Sequence, residues 1–179
     1  MKIICKKNQK GFSLIEMMVV VVILGLIVLG LVTFFTGGAK SWVAGQSQLK
    51  AQREARQAMD RMVREIREGK NVTSGSDGDT IFVSIPALGS ELEYSVTYSL
   101  SNTTIKRGTT PLIDNVLISG EDIFEYYDSS GIKYDTPDST TLPIISKIHI
   151  NLKIDVDGDS NPDITLNTDV NLRNYGLLQ

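Results

Sequence analysis

A chain of 179 residues is long enough for one modest globular domain and an additional segment, and too short for two such domains. Its formal net charge of -3 hides an asymmetry: Lys2, Lys6, Lys7 and Lys10 all precede Gly11, with no acid among them. Without those four lysines, 14 basic residues face 21 acidic ones, a balance that does not suit nucleic acid or anionic lipid head groups as partners.

The single cysteine, Cys5, sits in the same basic segment, so the rest of the chain has neither a thiol nor a disulfide. Whatever folds beyond it is held by packing, or by packing plus a metal.

Residues 12–35 read FSLIEMMVVVVILGLIVLGLVTFF, an apolar run interrupted by one ionisable side chain, Glu16. As a helix this run spans roughly 36 Å, enough to cross a hydrocarbon layer of about 30 Å with a slight tilt. The preceding lysines favour a cytoplasmic N-terminus and place the remainder outside. A cleavable secretory signal has a shorter apolar core followed by small residues. A lipoprotein signal would carry its cysteine after the run, whereas Cys5 comes before it.

Glu16 is the anomaly. A carboxylate close to a bilayer face can snorkel to the interface, yet a lone charge beside a helix start is also a functional candidate. Lys10-Gly11-Phe12-Ser13-Leu14-Ile15-Glu16, followed by the unbroken apolar stretch, resembles the prepilin signature of type IV pilins and type II secretion pseudopilins. The resemblance implies a leader, residues 1–11, removed after Gly11 by a membrane prepilin peptidase that then methylates Phe12. It also puts Glu16 in place of the glutamate that pairs with a neighbouring subunit's N-terminal amine during assembly. In an apolar filament core a buried carboxylate and a buried ammonium each need the other, which agrees with that role. Gly11, lacking a side chain, leaves the scissile peptide accessible.

Beyond residues 12–36, read as the membrane half of one long helix, residues 37–70 read as its amphipathic half. Leu49, Ala55, Met59, Met62, Val63 and Ile66 recur at helical spacing among charged residues. Asp60 with Arg64 and Arg64 with Glu68 are spaced as i,i+4 pairs, and Gly69 suggests a stop. Gly37-Gly38 predicts a bend or a melted turn. Arg53, Arg56, Arg61, Arg64, Arg67 and Lys70 are interspersed with acids and read as a solvated face rather than a nucleic-acid surface. Trp42 reads as an interfacial anchor or a residue packed beside the helix.

Residues 71–179 change character and read as a β-rich head, beginning with a loop over 71–79. Leu92, Tyr94, Val96, Tyr98 and Leu100 alternate with polar residues, predicting a strand, and Ser101-Asn102 predicts a hairpin turn into Thr104–Arg107. Ile123–Tyr127 is a further strand closed by Asp128-Ser129-Ser130-Gly131. Ile148 to Val156 and Ile164 to Leu172 both alternate, predicting a long antiparallel hairpin.

The fold class is therefore α+β, pilin-like by the resemblance: a long N-terminal helix laid on an antiparallel sheet. The segments Ala55–Met62, Phe124–Asp128 with Gly131, and Val170–Asn174 resemble minor pilin W and the minor pseudopilin J. That implies a subunit that starts or caps a pilus or secretion pseudopilus. Its implied partners are the prepilin peptidase/methyltransferase, other minor pilins or pseudopilins, the major subunit, an inner-membrane assembly platform and membrane lipid. The alternative is a single-pass membrane protein whose head binds a ligand or surface without polymerising.

Asp155, Asp157, Asp159, Asn161 and Asp163 place oxygen ligands at every second position, a spacing suited to calcium. The frame is not an EF-hand, because Leu166 stands where that loop needs glutamate and Ser160 where it needs glycine. A plain Asp-Gly turn is the other reading, and the residues leave both open. His149, the only histidine, falls on the polar side of its strand, and no nucleophile elbow, phosphate loop or His/Cys cluster is present in the sequence. The chain does not read as an enzyme.

Overall fold

The computed structural model describes residues 11–87, 92–118 and 120–176. The basic segment with Lys2, Lys6, Lys7, Lys10 and Cys5 lies outside the described residues.

Helix α1 runs unbroken over Leu14–Arg67, so the bend expected at Gly37-Gly38 does not form. The intrahelical hydrogen bonds on either side carry the helix through both glycines, whose helical cost is about 1 kcal/mol each. The chain divides inside this helix, residues up to Gln46 forming one compact unit and residues from Ser47 another.

In the first unit every described side chain from Phe12 to Phe35 is exposed, including the large apolar ones. Thr33 and Thr36 donate back to helix carbonyls: Thr33 to Leu29 and Gly30, Thr36 to Val32 and Thr33. A hydroxyl satisfied in this way costs little in hydrocarbon.

In the second unit the helix buries one stripe, Ala55, Ala58, Met59, Met62 and Ile66. Leu49, expected on that stripe, is instead 52 % exposed and lies before it begins. The ion pairs along the helix are Lys50–Glu54 and Arg61–Glu65, not the two expected around Arg64. The exposed Lys50–Glu54 pair contributes only a few tenths of a kcal/mol.

The stripe packs on two antiparallel sheets where one was expected. The first contains β1 (Asn71–Val72), β2 (Thr80–Ile85), β3 (Tyr94–Ser101), β4 (Thr104–Arg107) and β5 (Thr110–Ile113), in sequence order. The second has the order β7 (Lys133–Tyr134), β6 (Phe124–Asp128), β8 (Ile145–Ile154), β9 (Ile164–Asn171). β1 occupies part of the segment expected to be a loop, and pairs with β2 through Asn71↔Ser84 and Val72↔Val83.

The β3–β4 hairpin turns where the sequence places it, with Asn102 at a φ of 55° and Ser101 opposite Thr104. β3 starts later than its alternation suggests. Its pairing with β2 ends at Ile85↔Tyr94, and Leu92, beyond any partner strand, is 84 % exposed. The β8–β9 hairpin keeps register from Lys147↔Asn171 to Ile154↔Ile164.

One core joins the stripe to both sheets, with Val83, Tyr98, Ile105, Phe124, Tyr126, Ile150 and Leu152 at its centre. Two tyrosines inside an apolar core each need a partner for the hydroxyl. Tyr126 donates to the carbonyls of Asp77 and Thr80, at 2.8 and 3.0 Å, which ties β6 to the turn entering β2. Burial pushes its pKa well up, and the charges of Asp77 and Asp122 add to that.

Candidate functional site

Two regions carry residues singled out by the sequence. The first is the start of α1. Gly11, Phe12 and Ser13 are non-helical, and the Ser13 carbonyl accepts the N–H groups of Glu16 and Met17 at 3.0 and 3.2 Å, which opens the helix. Gly11 has no neighbouring atom within 4 Å of where a side chain would begin, and Phe12 is 78 % exposed. Among the described residues nothing packs on the peptide between them, which lies in irregular backbone, the form in which a protease active site can take it. Glu16 lies in the first turn, where a carboxylate faces the positive end of the helix dipole. It is the only acid of an otherwise apolar, fully exposed surface reaching to Phe35.

Residues 6–32 match the family model for the prokaryotic N-terminal methylation motif, which covers this segment and the start of the span. This segment carries a prepilin-type methylation motif. The motif is typical of type IV pilins and pseudopilins, and it indicates prepilin-type processing and assembly with other pilins. It points to a structural subunit of the pilin-like kind rather than to an enzyme. The helix beginning at Leu14 is long and apolar enough to cross a membrane, compatible with a single-pass anchor in the inner membrane. No curated protein and no solved structure matches the chain.

The second region is the loop between β8 and β9. Ligand oxygens of Asp155, Asp157 and Asp159 lie within 4.8 Å of one another, whereas Asp163 stands outside that group. The carboxylates also serve the turn itself. Asp155 accepts the backbone N–H groups of Gly158 and Ser160 at 2.7 and 2.8 Å, Asp159 accepts that of Asn161, and Asp163 that of Val156. Gly158 and Ser160 both take positive φ, 78° and 68°. The strand alternation expected to reach Val156 stops at Ile154 because Asp155 turns the backbone there. The Asp159 N–H pulls the Asp157 carboxyl down, but partial desolvation and the charges of Asp159, Asp163 and Asp155 outweigh it, leaving its pKa raised.

His149 is half-buried on the outward side of β8, its Nδ1 2.6 Å from Asp169 Oδ1. It is aligned across the strands with Glu125 on one side and Asp169 on the other. Trp42 is 70 % exposed.

Glu65 carries no direct mark in the sequence. This carboxylate accepts the Tyr98 hydroxyl at 2.7 Å, Arg107 Nε at 2.7 Å and Arg61 Nε at 3.1 Å, bonding α1 to β3 and β4. Burial pushes its pKa up, but the bonds from Arg107, Tyr98 and Arg61 together hold it below the usual range. The available signal was Tyr98 itself, an inward tyrosine that needs an acceptor.

Proposed function

We propose that the chain is a minor pilin or pseudopilin, cut after Gly11, N-methylated at Phe12 and assembled so as to start or cap a type IV pilus or a type II secretion pseudopilus. The observation that carries this reading is the free Gly11–Phe12 peptide directly ahead of a helix whose exposed apolar surface bears the single carboxylate Glu16. In this reading Glu16 pairs with the N-terminal amine of the next subunit, because neither charge is tolerable alone among apolar helices. The membrane half of α1 holds the subunit with its N-terminus in the cytoplasm and its head outside until it is drawn into the filament. The restriction to a minor subunit rests on the resemblance of Ala55–Met62, Phe124–Asp128 and Val170–Asn174. Calcium at Asp155, Asp157 and Asp159 belongs to the same proposal, supported by the convergence of their carboxylates.

Coexpression with a prepilin peptidase, followed by mass spectrometry, tests the processing step. The expected product begins at Phe12 and carries one added methyl group; a chain still beginning at Met1 overturns the reading. Glu16→Ala then separates a polymerising subunit from a membrane protein with a free-standing head. The first loses assembly with normal membrane insertion, and the second loses nothing.

A further inference from the structure

The helix face opposite the buried stripe carries Arg53, Arg56, Asp60, Arg64 and Arg67, all exposed. At 3.6 residues per turn they fall within an arc of about 80° and along about 21 Å of the axis. Among the described residues, none of these four arginines makes a side-chain hydrogen bond or ion pair; Arg61, on the neighbouring flank, is the one held by Glu65. The hairpin from Asp155 to Asp163 presents the converse: among the described residues its four acids bond backbone N–H groups and Asn161, with no cationic side chain on them. After Lys70 the chain holds sixteen acidic and six basic residues, so the head as a whole repels an anionic partner.

We propose that the arginine face of α1 receives the acidic hairpin of a second copy of this chain, with Asp157 and Asp159 leading the contact. All four cations are arginine, whose planar fork grips a carboxylate with two parallel hydrogen bonds, which an ammonium cannot do. Asp60 in the middle of the face and the acidic head around it both oppose a nucleic acid or an anionic membrane, which would present phosphates along the whole stripe. A compact carboxylate hairpin avoids Asp60 by docking at one end. The contact deepens the assembly reading, on which it rests, by naming which surfaces of two subunits meet.

The test uses full-length chains bearing two different tags, coexpressed and copurified in detergent with a chelator present. Arg64→Glu with Arg67→Glu lowers copurification at least tenfold, as does Asp157→Lys with Asp159→Lys, which leaves the Asp155 and Asp163 turn bonds in place. Mixing the two reversed chains restores it, and the wild-type contact weakens as salt rises from about 50 to about 500 mM. Thermal melting of each variant checks that its head remains folded. Unchanged copurification, or loss without restoration in the mixed pair, overturns the proposal. So does binding to DNA or anionic vesicles that the arginine variant loses and the hairpin variant keeps. A chain that is not cut after Gly11 yet shows charge-matched copurification sinks only the assembly reading. A chain that is cut and assembles regardless of these charges sinks only the contact.

Discussion

Helix α1 contains two apolar stretches that meet opposite fates. Val22 in the first unit is 62 % exposed and Met62 in the second is fully buried, although each sits in an equally regular helix. The later stretch is apolar on one face only, and the head supplies that face with a surface. The earlier stretch is apolar all round, and within its own unit nothing covers it, so its stabilising partner is hydrocarbon or other apolar helices. The head's stability should therefore depend on Met62 and its neighbours, and be indifferent to the span.

Met62→Ala is the largest break in that comparison. Deleting most of a fully buried side chain from the centre of the core should cost about 2–5 kcal/mol. Val22→Ala should leave the head's melting unchanged. All six tyrosines lie in the head, so near-ultraviolet circular dichroism of the full chain in detergent reports on it. A comparable fall in melting temperature for Val22→Ala would mean the two stretches do not differ as described.

Glu65 sharpens the same contrast, since it is the polar clasp between the stripe and the first sheet. Glu65→Ala strands the hydroxyl of the fully buried Tyr98 and should cost about 1–3 kcal/mol. Its folded pKa lies below that of an ordinary glutamate, so its stabilisation is complete above the ordinary value and is lost as pH falls through the lower folded one. Acid melting of the wild type should be steeper below about pH 4.5 than that of Glu65→Gln, which has no carboxylate to protonate. Equal slopes would remove Glu65 from the account of acid sensitivity.

The span and the β8–β9 hairpin were legible in the sequence because each obeys a single periodicity: continuous apolarity in one, strict alternation in the other. The division of the strands into two sheets was not. β1 and β7 have two residues each, too short for any period to register. β2 packs Ser84 and Ile85 consecutively into buried positions, which breaks its alternation. Gly11, Phe12 and Glu16 stood out because motif and position coincide. Glu65 did not, because an acid on a charged helix face looks like any other until the fold brings Tyr98 and Arg107 to it.

Gly69 shows how a correct position can hide its physical reason. The sequence suggests a helix stop, but a methyl group there would overlap the Val83 side chain and sit 2.8 Å from the Ile66 carbonyl and 3.1 Å from Leu172. The glycine lets the end of α1 lie directly against β2 and the chain after β9. Gly69→Ala should cost about 1–3 kcal/mol as an overpacked core site, measured by denaturant unfolding of the full chain. A neutral result would show that Val83 moves aside freely.

The smallest expected effect concerns the hairpin from Asp155 to Asp163, where one side chain has two tasks to separate. Asp155→Ala removes the acceptor for the Gly158 and Ser160 N–H groups and should cost about 1 kcal/mol, the worth of a turn cap at an exposed site. If Asp155, Asp157 and Asp159 also gather around calcium, a concentration about tenfold above the dissociation constant adds about 1.4 kcal/mol by mass action. For a head of this size that raises the melting temperature by a few degrees. Asp157→Asn with Asp159→Asn should abolish the calcium response while leaving the two Asp155 turn bonds, and so most of the calcium-free stability, in place. A wild-type melt unmoved by millimolar calcium leaves the hairpin as a turn whose carboxylates serve its own backbone, with their charge then fully available to a neighbouring subunit.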